Sequence, residues 1–406
     1  MRKTLTAVLT WLAVSLSAQV KTGIDVLEQN GMELLKGKRI GLLTNPTGID
    51  KDMNSTIDIL FNAEGVELTT LFAPEHGVRG DEYAGASVAN TKDAKTGLTV
   101  YSLHGKVKKP TAAMLEKVDA LVYDIQDIGC RSYTFISSMG KLMEAAAEND
   151  KEVIVLDRPN PLGGKKVEGP LVEDGYYSFV SQYSIPYIYG LTCGELATLI
   201  NEQKEPEKQC KLTVVKMEGW TRDMTFDKTG LPWVPTSPQI PDDETAMYYP
   251  ASGILGELNE VNIGVGYTLP FRVFAAEWVN ADVLSRAMNT LKLPGLRFRP
   301  ITFKPYFGDW NGQVLNGVEM YVTDFGVARL TEVQWYVMQE LHRLYPTHEI
   351  FGKTDKKTRY QMFDKVCGSG QFRAIFSKDY KFADIKDLWR KDAADWKEMS
   401  KKYYMY

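Results

Sequence analysis

Four stretches of this 406-residue chain bring acids, amides, bases and phenols close enough together to do chemistry. The pair Glu75-His76 sits between Pro74 and Gly77 at the end of an apolar run. A carboxyl group partly desolvated in a cleft holds its proton to higher pH and can donate it near neutrality, and an adjacent His can bond the substrate or the carboxylate. The same pair would also serve as a helix cap or a solvent-facing loop. Asp124, Gln126 and Asp127 alternate with apolar residues, so a strand's period of two puts Asp124 and Gln126 on one face and Asp127 past the end. Arg131 and Tyr133 follow where the next helix should begin. Two carboxylates, an amide, a guanidinium and a phenol are the groups that carbohydrate binding uses, although an internal Asp–Arg pair with helix capping would use them too. In Asp157-Arg158-Pro159-Asn160-Pro161 the two prolines fix a rigid turn, which either presents Asp157, Arg158 and Asn160 to a cleft or reverses the chain. Tyr187 and Tyr189 are candidates for stacking on a sugar ring. Glu195 is set aside, because Thr192-Cys193-Gly194-Glu195 before Leu196 and Leu199 reads as a capping box.

These residues need a scaffold, and the first half of the chain supplies one by alternation. The runs 39–44, 66–72, 120–125 and 153–156 are short and apolar, and each stops at a polar loop: Asn45-Pro46-Thr47-Gly48, Ala73 to Gly77, Gln126 to Gly129, and Asp157 to Pro161. Helical patterns lie between them, such as Ile136, Met139, Met143 and Ala146. A βαβα order predicts a mostly parallel sheet covered by helices on both faces. In such a sheet all strand carboxyl ends share one edge, where ligands bind. Asn45 and Asn160 would then meet in one cleft despite their separation in sequence.

After the Pro-rich stretch 232–250 the pattern changes to short strand-like runs with a few helices. Asn280 to Leu291 reads as a helix stopped by Pro294-Gly295. Thr331 and Gln334 form a capping-box pattern opening a helix to about Leu344, and Asp384 to Tyr404 reads as one terminal helix with Trp389 and Trp396 on a common face. The expected organisation is a signal peptide over 1–18, an N-terminal domain over 19–245 and a smaller α+β domain over 246–406.

Residues 1–18 have the form of a signal peptide: Arg2 and Lys3, an apolar run through Leu16, then Ser17 and Ala18 before Gln19. The expected location is therefore outside the cytoplasm, periplasmic or secreted, with no stable membrane insertion of the mature chain. Lys and Arg number 48 against 52 Asp and Glu, a net charge of −4 that disfavours nucleic acid as a partner. The four cysteines, Cys130, Cys193, Cys210 and Cys367, are too dispersed for a disulfide framework, and buried thiols are the expectation. With four histidines and neither HExxH nor CxxC, no metal site is expected. Gly264-Val265-Gly266 lacks the third glycine of a dinucleotide fingerprint, no phosphate-binding P-loop occurs, and no G-x-S-x-G elbow is present, so no cofactor is expected.

Taken together the loops resemble the NamZ-like exo-β-N-acetylmuramidases. The matching segments include GLLTNPTG at 41–48, LFAPEHGVRG at 71–80, VYDIQDIGCRSYTFISSM at 122–139, VLDRPNPLGG at 155–164, YGLTCGELA at 189–197, TSPQIP at 236–241, TAMYYPASGIL at 245–255 and the terminal WRKDAADWKEMSKKYYMY. The resemblance implies a Rossmann-like N-terminal domain, a smaller C-terminal domain and a cleft between them, and removal of terminal N-acetylmuramic acid from peptidoglycan fragments. It makes Glu75 the leading catalytic residue and places Asn45, His76, Arg79, Gln126, Asp127, Arg131, Tyr133 and Asn160 along the cleft. An Arg or His there would pair with the lactyl carboxylate of muramic acid. Asp127 is the expected second carboxylate, with Asp124 next, unless the substrate's acetamido group is the nucleophile. The sequence departs from the family pattern EGTNxSxGRGTxxPFE at 256–272, where it reads GELNEVNIGVGYTLPFR, and at Ser237-Pro238-Gln239 in place of SPN. Two other functions fit these departures: a non-catalytic muropeptide-binding protein, and a hydrolase of another exported glycan.

Overall fold

The structure is a computed structural model, and it describes residues 19–80, 91–351 and 357–406. The expected signal peptide lies outside the described residues. The apolar runs become strands β1 (Arg39–Thr44), β2 (Glu67–Ala73), β3 (Thr91–Lys92), β4 (Thr99–Ser102), β5 (Ala120–Asp124), β6 (Glu152–Leu156) and β7 (Lys211–Val215). They form one sheet in the order β3-β4-β2-β1-β5-β6-β7, parallel throughout except for the β3–β4 pair. The central strands are buried on both faces, which is why their sequences are nearly continuously apolar. Helices α1 (Gly23–Gln29) and α2 (Thr56–Asn62) cover one face over Ile40, Leu42, Val122 and Ile154. Helices α3 (Phe135–Glu148) and α4 (Cys193–Glu202) cover the other over Leu43, Leu121, Tyr123 and Val155.

Strand β1 lies between β2 and β5, so the chain runs outward to one side and then returns to the other. The switch point, where a crevice opens beyond the strand ends, falls between β1 and β5. That places the loops after Thr44 and Asp124 side by side, with the loop after β2 next to them.

The remainder begins with α5 (Asp243–Gly256), capped by Asp242, whose side chain accepts the Thr245 N–H. A three-stranded antiparallel sheet follows, β8 (Val273–Ala276), β10 (Leu315–Val322) and β9 (Leu296–Phe303), in that spatial order. Around it lie α6 (Ala281–Thr290), α7 (Val333–Leu344), α8 (Lys357–Cys367), α9 (Gln371–Asp379), α10 (Lys386–Arg390) and α11 (Ala393–Ser400). One apolar core joins the two halves: Ile128, Leu162 and Tyr187 pack with Ile254, Phe274, Trp335 and Trp389.

Two local expectations are corrected. The terminal segment is two short helices, because the chain turns at Lys391-Asp392, where the Asp392 carboxylate accepts the Leu171 N–H at 2.9 Å. Trp389 and Trp396 consequently anchor different cores. Thr331 and Gln334 do not form a capping box: Thr331 Oγ1 accepts from the Trp389 indole, and Gln334 Nε2 donates to the Pro250 carbonyl. Asn280 does cap α6, accepting the Val283 N–H. All four cysteines are buried and free.

Candidate functional site

The loops after β1 and β5 are tied together by polar atoms. Asn45 Oδ1 accepts the Thr47 N–H and hydroxyl, and Thr47 Oγ1 accepts the Gln126 N–H at 2.8 Å. Gln126 Nε2 then donates to the carbonyls of Asp127 and Pro159, linking the β6 loop. All three amide or hydroxyl side chains are buried, so they fix loop positions and do not form an exposed rim. One atom is left over: Asn45 Nδ2 is buried with no hydrogen-bond partner among the described residues.

Asp127 is the most unusual carboxyl group of the set. Its Oδ2 accepts the Tyr189 hydroxyl at 2.6 Å and the Gly129 N–H at 2.8 Å, whereas Oδ1 is buried without a hydrogen-bond partner among the described residues. Burial pushes its pKa up to about 6, against the hydrogen bonds from Tyr189, Gly129 and Ile128 that favour the ionised form. The tight loop that delivers Gly129 requires glycine. Its φ is +75°, and a Cβ would lie 2.2 Å from Asn160 Oδ1.

Glu75 and His76 occupy the turn after β2, with His76 itself in the left-handed region at φ +76° and Gly77 continuing at +79°. A non-glycine residue there carries about 1 kcal/mol or more of strain, of the kind that accumulates at functional loops. Tyr133 shows which groups this turn faces. Burial pushes the phenol's pKa up, hydrogen bonding with Ser237 and Thr236 counters this, and the charges of Asp127 and Glu75 push it up further. Its hydroxyl donates to Thr236 Oγ1 at 2.8 Å. The carboxyl groups of the loops after β2 and β5 are thus both within electrostatic reach of one phenol, which is hydrogen-bonded to the 236–237 loop. Tyr133 also stacks edge-on against Tyr249, and Tyr249 against Phe271, so the divergent 256–272 segment reaches the site through an aromatic chain.

Other expected site residues have different placements. Asp124 is fully buried and pairs with Arg158 (2.5 and 2.9 Å), with the Thr56 hydroxyl as a further donor, so it is a structural anion. Arg131 is not its partner: the Arg131 guanidinium donates to the carbonyls of Pro170, Ile185, Val366 and Cys367 and pins α8 to the sheet domain. Asn160 bonds Leu191 O and Leu162 N and shapes its own turn. Asp157 accepts from Arg158 N, Gly194 N, Thr192 Oγ1 and the Tyr406 hydroxyl. Arg79 is bound through Nε and Nη2 to Asp93 and Asp58. Tyr187 and Tyr189 cannot stack on a sugar from their observed positions, being 0% and 1% exposed. Tyr189 instead positions Asp127, and Tyr187 bonds Ser132. Glu195 caps α4 as expected and also binds Arg222. The sequence reading did not assign Thr236, Ser237 or Tyr249 to the site; TSPQIP and TAMYYPASGIL were the signal available. Among the described residues no cluster of acids, histidines and cysteines could hold a metal ion, and no helix is long and apolar enough to cross a membrane.

Comparison with known proteins adds the context for this geometry. Residues 40–244 match the family model "Exo-beta-N-acetylmuramidase NamZ, N-terminal", and residues 247–406 match its C-terminal counterpart. The chain is 44% identical over 388 residues to the peptidoglycan beta-N-acetylmuramidase NamZ of Bacillus subtilis (strain 168), covering 96% of this chain and 92% of that one. Two crystal structures of DUF1343 family proteins from Bacteroides fragilis NCTC 9343 are also similar. One has a TM-score of 0.91 at 54% identity, the other 0.76 at 28%, each over 96% of this chain and 99% of its own.

Proposed function

The chain belongs to the NamZ exo-β-N-acetylmuramidase family, and from that premise we propose that it is a peptidoglycan glycosidase that removes terminal β-N-acetylmuramic acid from the non-reducing end of cell-wall fragments. The observation that carries the reading is that the loops bearing Glu75 and Asp127 follow β2 and β5, which flank β1 at the switch point, so both carboxyl groups lie on one edge of the sheet. Glycoside hydrolysis needs two carboxyl groups, or one acid and a positioning carboxylate, beside the scissile bond. Glu75 protonates the leaving oxygen, and Asp127 is the second group. Its Oδ1 is buried and has no hydrogen-bond partner among the described residues, so a sugar hydroxyl that reached it would meet an acceptor the fold leaves unused. Arg79, Arg131 and Arg158 are engaged within the protein, and the lactyl carboxylate is assigned to His76 because it shares the turn that carries Glu75.

The reading extends to cell-wall recycling outside the cytoplasm, supported by the leader-like residues 1–18. Amino-terminal sequencing of the protein from a periplasmic fraction should start at Gln19.

The activity is tested by release of nitrophenol from para-nitrophenyl β-N-acetylmuramic acid. Wild type should turn it over, and Glu75→Gln should lose about a hundredfold or more. Binding of the glycoside without turnover would favour a binding protein. Turnover confined to the unmodified hexosaminide would indicate another glycan as substrate.

A further inference from the structure

One cavity among the described residues is lined by neither Glu75 nor Asp127. It has a volume of about 800 Å³ and lies in the crevice between the sheet domain's 162–168 and 222–228 segments and the 324–329 turn that joins β10 to α7. Helix α5 separates it from the catalytic cleft. Met247 lines the cavity, whereas Tyr249, about 200° further round the helix, faces Tyr133.

The charges around this crevice are unevenly matched. Its acids are held locally by hydrogen bonds that leave their charge in place. Asp324 accepts its own turn's Gly326 N–H, Asp227 accepts the Thr225 hydroxyl, and Asp223 accepts from Thr221 and lies 3.8 Å from Lys165. Glu168 is committed to the Thr331 N–H and hydroxyl at 3.0 and 3.2 Å and lies 3.4 Å from Lys166. Lys228 and Arg329 lie within electrostatic reach of Asp223 and Glu168 respectively, and with Lys397 they line the crevice. Lys166 is held in place by the Ala328 carbonyl and by the Phe325 ring, 4.4 Å from its ammonium. The lining holds six Lys or Arg against four Asp or Glu, and with Arg222 bound by Glu195 it remains slightly cationic in a chain of net charge −4.

Its walls are not those of a bare anion pocket. Leu162, Met247 and the half-exposed Val327 give it apolar surface. A second hollow of about 260 Å³ continues from it and shares Val167, Glu168, Arg329 and Lys397. An extended ligand crossing from one hollow to the other would pass Arg329 and Lys397 at the junction. Alternating carboxylates and small apolar groups match this layout.

We propose that this crevice is a second binding site, distinct from the catalytic cleft, that takes a short acidic peptide in extended form. The proposal goes beyond the glycosidase reading and does not depend on it.

The test is calorimetric titration of the full chain with the N-acetylated peptide Ala-Glu-Ala-Glu and with its amidated Gln counterpart. The glycoside assay runs in parallel. The acidic peptide should bind saturably and the Gln peptide at least tenfold more weakly. Combined Arg329→Glu and Lys397→Glu substitution should weaken the acidic peptide about tenfold while leaving nitrophenol release unchanged. Absence of saturable binding, or equal binding of both peptides, would overturn the proposal. Displacement of the peptide by equimolar inorganic phosphate would overturn it too, by showing a plain anion site. Failure of the glycosidase reading appears only in the turnover arm.

Discussion

The loop after β6 and the loop after β5 have nearly the same polar composition, yet they differ in what is left unpaired. After β6, both oxygens of Asp157 accept two hydrogen bonds each, Arg158 grips Asp124, and both ends of the Asn160 amide are bonded. After β5, Asp127 keeps one buried oxygen, and nearby Asn45 a buried amide nitrogen, without a hydrogen-bond partner among the described residues. A buried polar atom without a partner costs about 1–3 kcal/mol, so the fold is less stable than it would be with those atoms satisfied. Polar residues at a strand end thus mark either a joint or a reaction site, and the difference lies in the hydrogen-bonding capacity that remains for a ligand.

The comparison can be broken most severely at the saturated end. Arg158→Met leaves Asp124 buried without its cation and should lower stability by about 3–5 kcal/mol in denaturant titration. If that variant lost turnover while keeping its stability, the β6 loop would have to be part of the chemistry.

The pH dependence sharpens the contrast. The Asp127 carboxyl loses its proton near 3.8 when unfolded but keeps it to about 6 when folded. Between those values the folded state binds more protons, so its stability falls as pH rises through that window. Asp127→Asn removes this contribution and should gain on wild type by roughly 1–3 kcal/mol between pH 4 and pH 7. Melting of both proteins across that range checks it.

A smaller effect is expected at the chain's end, where Tyr406 donates to Asp157 and accepts the Met217 N–H. Tyr406→Phe should lower stability by about 1 kcal/mol, with turnover within a few-fold of wild type.

The parallel sheet was legible because each central strand is buried on both faces and must be apolar along its length, while its ends must be polar. From that alone the positions of Asn45, Glu75, Asp127 and Asn160 on one edge followed. Pairing across loops was not legible. Asp124 takes Arg158 from the neighbouring strand end, not Arg131, because parallel neighbours bring their ends together, a proximity invisible in linear spacing. Arg131 could not be placed because its partners are four backbone carbonyls, which leave no trace in side-chain identity. Tyr189 looked like a stacking platform, and its burial against Asp127 depends on packing that periodicity cannot report. The terminal helix broke for a similar reason, since Asp392 is drawn to the Leu171 backbone 221 positions away.

The most direct test of the central claim is the turnover number of Asp127→Asn on para-nitrophenyl β-N-acetylmuramic acid. The substitution preserves an acceptor for Tyr189 and Gly129 and replaces only the unpartnered oxygen's chemistry. The account predicts a loss of about 10²–10⁴-fold in turnover in a protein at least as stable as wild type at pH 7. Turnover within a few-fold of wild type would show that the unpaired oxygen after β5 does no chemistry, and would contradict it.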